Sequence, residues 1–258
     1  MPSGQTVLIG DVPLHVWREG SGPPVLLLHG WGASSALLRP LAEKLAARGF
    51  AVHVPDLPGF GDTPPPAQPW TVYQYAQLAA DYVKQAGIAP CAVFGHSFGG
   101  RLCLVLAAEQ PQLFSRVILA NSAGLRPRLP RHVRWRTRLY KNVRALLERL
   151  GARRLAEWLR ARYNARYGSA DFNAVSGPMR QTFINVINED LAPFAPRIPH
   201  PTLLIWGDQD AETPLWMGQK LESLIPDAGL VVHQGAGHYS YLDRLEETVI
   251  IVAHFLKN

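Results

Sequence analysis

Val93-Phe94-Gly95-His96-Ser97-Phe98-Gly99-Gly100 lies between an apolar run, Cys91 to Phe94, and an apolar helical pattern from Leu102 to Ala108. Strand, tight turn and helix in that order place Ser97 at a sharp corner, with its hydroxyl pushed out of the backbone. Gly95 and Gly99 suit such a corner, which leaves no room for a Cβ on either flank. The helix beginning there aims free backbone N–H groups at charge developing beside Ser97. A bare Gly-x-Ser-x-Gly occurs by chance in many chains. The strand before it and the helix after it are what separate a nucleophilic serine from a glycine-rich turn.

A hydroxyl is a poor nucleophile until a base takes its proton, and that base needs a third group to orient it. Two later strands end on candidates. Pro201-Thr-Leu-Leu-Ile-Trp206 reads as a buried strand running into Gly207-Asp208-Gln209-Asp210. Gly229-Leu-Val-Val-His233 reads as another, running into Gly235-Ala236-Gly237-His238. The order Ser, Asp, His is that of α/β-hydrolases and differs from the orders in the two best-known serine protease folds.

Further segments are similar to that family. Leu27-Leu28-His29-Gly30-Trp31-Gly32 is similar to its oxyanion turn after the third strand, and Asp56-Leu57-Pro58-Gly59-Phe60-Gly61 to its loop after the fourth. Leu204 to Asp210, with Pro214 following, looks like its acid turn, and Gly235 to His238 like its histidine turn. Over nearly its whole length the chain thus resembles an α/β-hydrolase fold protein of the group with a helical cap. The resemblance implies a mostly parallel eight-stranded α/β sheet with helices on both faces and a helical cap inserted after strand 6. Residues 1–121 and 198–258 would form the core and 122–197 the cap.

Residue by residue, the resemblance makes Ser97 the nucleophile, His238 the general base and then acid, and Asp210 the orienting acid. The backbone N–H groups of Trp31 and Phe98 become the oxyanion donors. Asp208 is the rival acid; the family's position counted from the glycine favours Asp210. Glu212 suits the role less, and Asn121 stands where an alternative acid would follow the sixth strand. His29, Gly30 and His96 flank the site as candidate substrate-contacting positions, the two histidines reading as orienters of backbone more than carriers of protons.

The implied reaction is hydrolysis of a small carboxylic ester by a serine enzyme without a cofactor. Serine at 97 argues against haloalkane dehalogenases and epoxide hydrolases, whose pattern has aspartate there. C–C bond hydrolases share the cap and triad but tend to carry Asn before the nucleophile, where this chain has His96. Lactonases, thioesterases and cofactor-free perhydrolases use the same triad. Some members of the fold are small-molecule receptors with a slow triad, so the fold alone settles nothing.

At 258 residues, with 47% hydrophobic and 18% charged, the chain has the size and balance of one large globular domain. Cys91 and Cys103 fall in the elbow's strand and helix and read as small buried apolar residues. The N-terminus lacks the basic and apolar regions of a secretory leader, and no apolar run approaches the ~20 residues of a membrane span. A cytoplasmic enzyme, monomer or homodimer, is the expectation. The other histidines, His15, His53, His132, His200, His233 and His254, read as structural. No His, Cys and carboxylate cluster has metal-ligand spacing, so no metal is expected. There is no P-loop and no GxGxxG after a strand.

Charge is uneven. The net charge is +6 and the pI about 9.5. Residues 126–166 hold 14 Lys or Arg against Glu148 and Glu157, a net of +12, leaving about −6 elsewhere. The first reading is that these arginines face solvent on amphipathic helices whose other face covers the core. A cationic mouth admitting anionic esters is the second. Contact with a membrane surface is the third, without stable anchoring. Nucleic acid comes last and is not expected as a partner, because no recognition motif accompanies the charge.

Along the chain, Thr6–Ile9 and Val12–Arg18 read as a hairpin, and Val25–Leu28, Phe50–Val54 (ended by Pro55) and Arg116–Ala120 as strands. Ser34 or Ser35 is the candidate cap of a helix whose Leu37, Leu38, Leu41 and Leu45 fall on one face before Gly49 ends it. Thr71-x-x-Gln74 has capping-box spacing. Between Ser122 and about Arg197 only helical periods occur: Trp135 to Leu150, Leu155 to Tyr163, and Met179 to Asn188. A last helix runs from about Tyr241 to Leu256.

Overall fold

The computed structural model describes residues 3–126, 131–167 and 170–258. Strands are β1 (Ser3–Ile9), β2 (Val12–Glu19), β3 (Pro24–Leu28), β4 (Ala51–Pro55), β5 (Cys91–His96), β6 (Phe114–Ala120), β7 (Thr202–Gly207) and β8 (Ala228–His233). They form one sheet in the order β1-β2-β4-β3-β5-β6-β7-β8. β1 and β2 pair antiparallel, as do β2 and β4, and every later pairing is parallel. β5 and β7 are buried at every position, as strands covered on both faces must be.

Helices α1 (Ser35–Ala46), α2 (Val72–Gln85) and α3 (Phe98–Glu109) alternate with these strands. Between β6 and β7 come α4 (Arg131–Arg149), α5 (Arg153–Tyr167), α6 (Ala170–Ala174), α7 (Gly177–Asn188) and a 3-10 turn, Ala192–Arg197. Then follow α8 (Trp216–Leu224), α9 (Ser240–Asp243) and α10 (Leu245–Lys257). Successive residues of β3 show the two covered faces directly. Leu26 and Leu28 join a core with Tyr75, Leu102 and Leu221 from α2, α3 and α8. Val25 and Leu27 join another with Leu38, Leu41, Val249 and Val252 from α1 and α10.

Three local expectations need correction. Ser34 takes the N-cap position of α1, but its hydroxyl caps nothing. The free N–H of Ser35 instead donates to Asp56 Oδ1 at 2.6 Å, a cap supplied from the loop after β4. Pro55 belongs to β4 rather than ending it. The final helix breaks at Arg244 (φ −125°, ψ 49°) into α9 and α10. At α2, the N–H of Thr71 donates to Gln74 Oε1 at 2.9 Å, an arm of the capping box that its spacing suggests.

The insertion is held unevenly. α7 buries Met179, Thr182, Phe183 and Val186. Thr182 Oγ1 accepts from the Trp70 N–H at 2.9 Å, and Asn185 Nδ2 donates to the Trp70 carbonyl at 3.1 Å. Buried Arg101 of α3 donates to the Glu189 carbonyl just past α7, at 3.1 Å. α4 and α5 lie against each other through Tyr140 stacked on Tyr163 at 3.9 Å and a 3.0 Å bond between the Thr137 and Tyr163 hydroxyls. The apolar stripe Trp135, Leu139, Val143, Leu146 and Leu150 is exposed, contrary to the expectation that the face opposite the arginines covers the core. No helix among the described residues is long and apolar enough to cross a membrane. Cys91 and Cys103 are free and buried.

Candidate active site

Ser97 sits between β5 and α3 at φ 50°, ψ −106°, a left-handed conformation that costs a non-glycine residue on the order of 1–3 kcal/mol. The surroundings hold it there. Its N–H donates to the Ala120 carbonyl at 3.2 Å, and its own carbonyl accepts from the N–H groups of Ala123 (3.1 Å) and Arg101 (3.3 Å). A Cβ on Gly95 would lie 2.5 Å from Cys103 Sγ and from Gly99 backbone, and one on Gly99 only 2.0 Å from the Leu28 carbonyl oxygen. From Cys91 to Ala108, Ser97 is the one residue that is not buried. Packing therefore drives the backbone through a corner that leaves this hydroxyl accessible.

Asp210 follows β7 and His238 follows β8, at the same carboxyl ends of parallel strands as Ser97. Asp210 Oδ2 lies 2.9 Å from His238 Nδ1. The same oxygen accepts from Asn121 Nδ2 and from the Thr213 hydroxyl, each at 2.6 Å. Oδ1 accepts from the N–H groups of Glu212 (2.8 Å) and Thr213 (3.0 Å). Burial opposes ionisation of this carboxyl, but the bonds from His238 and Thr213 outweigh it and hold the pKa at about 2. An ionised carboxylate can only accept, so His238 Nδ1 carries the hydrogen and Nε2 is left as the basic nitrogen.

Asp208 is elsewhere in function: its Oδ1 accepts from the Gly235 N–H at 2.7 Å, tying the acid turn to the histidine turn. Glu212, exposed, places Oε2 3.4 Å from His238 Nε2, the opposite ring nitrogen from the one Asp210 holds. Asn121 lies beyond β6 at φ 43°. Its amide is oriented by the Ser240 hydroxyl, which donates to Oδ1, leaving Nδ2 for Asp210. Sequence reasoning treated Asn121 only as a missing acid and did not single out Thr213. The Asp-x-x-Thr spacing, which lets a carboxylate take the N–H groups two and three residues on, was the available signal.

The three flanking positions are buried. His29 Nε2 accepts from the Leu57 N–H at 2.9 Å, so its Nδ1 is the donor to the Gly30 carbonyl at 2.7 Å. Burial lowers its pKa and keeps it neutral. With both nitrogens engaged, His29 orients backbone and offers nothing to a substrate. The carbonyl it holds belongs to the same planar peptide unit as the Trp31 N–H, so this contact sets that N–H direction. Gly30 allows close approach: a Cβ there would meet His96 Nδ1 at 2.9 Å and Ser97 Cβ at 3.4 Å. His96 Nε2 donates to the His238 carbonyl at 2.9 Å, fastening the histidine turn to the elbow. Burial, then the neighbouring His238, push the His96 pKa down to about 3.

Phe98, the first residue of α3, carries one of the N–H groups that a helix start leaves free. Its ring lies edge-on to Trp31 at 5.4 Å, and Trp31 touches Phe60 (4.9 Å) and Phe183 of α7 (5.1 Å). An open cleft of about 620 Å³ adjoins these loops, lined by Gly32, Leu37, Phe60 and Tyr239 among others. One expectation about metals is corrected in space: His15, Asp56 and Asp62 bring potential ligand atoms within 4.8 Å of one another. Asp56 already accepts from the N–H groups of Ser35 (2.6 Å) and Asp62 (3.0 Å), and Asp62 is exposed, so the group reads as a loop lock.

The family described as the alpha/beta hydrolase fold matches residues 23–245. The pimeloyl-[acyl-carrier protein] methyl ester esterase of Chromobacterium violaceum is 30% identical, over 95% of this chain and 98% of its own. The 2-hydroxymuconate semialdehyde hydrolase of Pseudomonas putida is also 30% identical, over 98% of this chain and 94% of its own. Among solved structures, an esterase from Exiguobacterium antarcticum superposes with a TM-score of 0.77 at 22% identity, over 99% of this chain and all of that one, a likeness of fold.

Proposed function

Because this chain belongs to the alpha/beta hydrolase fold family, we propose that it is a serine hydrolase that cleaves a small carboxylic ester through Ser97, His238 and Asp210. The observation that carries this reading is the Asp210–His238 bond of 2.9 Å, at the same carboxyl end of the sheet as a half-buried serine held at a strained corner. Ser97 Oγ attacks the ester carbonyl carbon while His238 Nε2 accepts its proton. The Nδ1–H bond to ionised Asp210 stabilises the imidazolium so formed. The N–H groups of Phe98 and Trp31 receive the oxyanion, each donor worth about 3–4 kcal/mol in such sites. Nε2 then protonates the departing alkoxide. Water, deprotonated by the same nitrogen, releases the acid and restores Ser97.

Glu212 must turn from Nε2 for the first transfer, which its exposed position allows. The insertion serves as a cap: Phe183 of α7 closes on Trp31 beside the oxyanion loop. The methyl ester esterase relative supports ester chemistry. The 2-hydroxymuconate semialdehyde hydrolase relative favours a second reading, C–C bond cleavage on the same residues.

An activated short-chain ester tests the first reading by stopped flow. One equivalent of alcohol should appear in a burst before steady turnover, the signature of an acyl-enzyme. Absence of any turnover would favour a receptor. Faster cleavage of a substrate of the 2-hydroxymuconate semialdehyde type than of any ester in a panel would favour the second reading.

A further inference from the structure

Trp135, Leu139, Val143, Leu146 and Leu150 recur at i, i+4, i+8, i+11 and i+15 along and just past α4, within roughly 80° of one another around its axis. They are 69, 48, 39, 56 and 71% exposed. Tyr140 and Thr137, which meet α5, lie on a different side of the helix. Arg131, Arg138 and Arg149, all exposed, border the stripe by the same helical arithmetic. α5 adds exposed Leu155 and Trp158, with the Arg162 guanidinium over the Trp158 ring at 5.6 Å.

We propose that this hairpin adsorbs reversibly to an anionic lipid bilayer surface. The stripe would enter the boundary between headgroups and acyl chains, and the bordering arginines would pair with lipid phosphates. An amphipathic helix with Trp and Leu on one side and Arg beside them has the composition of interfacial helices. Arginine stems can lie along apolar surface while their heads stay at the phosphates. The stripe extends about 22 Å along the helix, and a bilayer satisfies both its apolar length and its charge. A second copy is disfavoured, since a symmetric contact would bring two segments of net +12 together. With no spanning helix among the described residues, the protein would lie on the surface and not cross it. The proposal does not depend on the chemistry assigned to Ser97.

Flotation of the whole protein with phosphatidylcholine vesicles, with and without phosphatidylglycerol, tests this. Binding should require the anionic lipid and weaken as salt rises from ~0.01 to ~0.15 M and the Debye length falls from about 30 to 8 Å. Replacing Arg131, Arg138 and Arg149 together by Gln should lower partitioning about a hundredfold. Replacing Trp135, Leu139 and Leu146 together by Ser should lower it at least about tenfold at the higher salt, because roughly three apolar side chains no longer enter the interface. The Ser variant should keep ester turnover and melting temperature. Equal binding to neutral and anionic vesicles, binding to neither, or wild-type binding by the Ser variant would overturn the proposal. So would a dimer that the Ser variant dissociates, or a melting temperature several degrees lower in that variant, since either means that protein covers the stripe.

Discussion

Around Asp210, five donors from four residues converge on one buried carboxylate. Along and just past α4, five apolar side chains at helical spacing are exposed. The first region is over-determined: His96, Asn121, Asp210 and His238, at or beyond the ends of β5, β6, β7 and β8, are bonded to one another, so the site's geometry is set by the sheet. The second is amphipathic in sequence and is held by contacts with α5, not by the core that its apolar side chains would ordinarily cover. A hydrophobic period shows that a helix has an apolar face; it does not show what covers that face.

The contrast can be broken hardest at the acid. An aspartate that holds the base's tautomer is worth about 10⁴ in kcat, so Asp210→Asn should be nearly inactive. Asp208→Asn removes only a bond to the Gly235 N–H and should keep most activity in the same assay. The reverse ranking would move the acid by two residues.

Stability gives the next contrast. Leu104 is fully buried on α3, and Leu104→Ala should cost about 2–5 kcal/mol in denaturant unfolding. Leu139→Ala on the exposed stripe should stay within about 0.5 kcal/mol. Similar losses would mean that the stripe is packed after all.

A third test uses pH. The Asp210 carboxyl is depressed in the folded state to about 2 from an ordinary 3.8. A depressed carboxyl stabilises the fold above its unfolded value, and that contribution is lost as pH falls through the folded one. Between pH ~4 and ~2 the wild type should therefore lose on the order of 2 kcal/mol more stability than Asp210→Asn. Parallel curves would show that the carboxylate is not held as described. The smallest effect belongs to Glu212. An exposed pair is worth at most about 1 kcal/mol, so Glu212→Gln should raise kcat by no more than about fivefold by freeing Nε2. A fall in kcat would give Glu212 a positive role.

Much of this architecture was legible in local sequence. The elbow showed as an apolar run, a glycine-flanked serine and a helical period, and strand limits fell within a few residues of the hydrophobic runs. What escaped were contacts between distant segments. Asp56 capping α1 spans 21 residues, Asn121 on Asp210 spans 89, and His29 reaching Leu57 spans 28. Asn121 in particular carries no charge and no motif; only the meeting of β6 with β7 gives it a partner. The metal-like grouping of His15 with Asp56 and Asp62 escaped for the same reason.

The central claim is that Ser97 is the nucleophile, and covalent capture tests it most directly. Treated with a fluorophosphonate, the wild-type protein should gain one phosphonyl group, mapped by peptide mass spectrometry to Ser97. Ser97→Ala should fold normally and gain none. Labelling that persists in Ser97→Ala, or that maps to another residue in the wild type, would contradict the account.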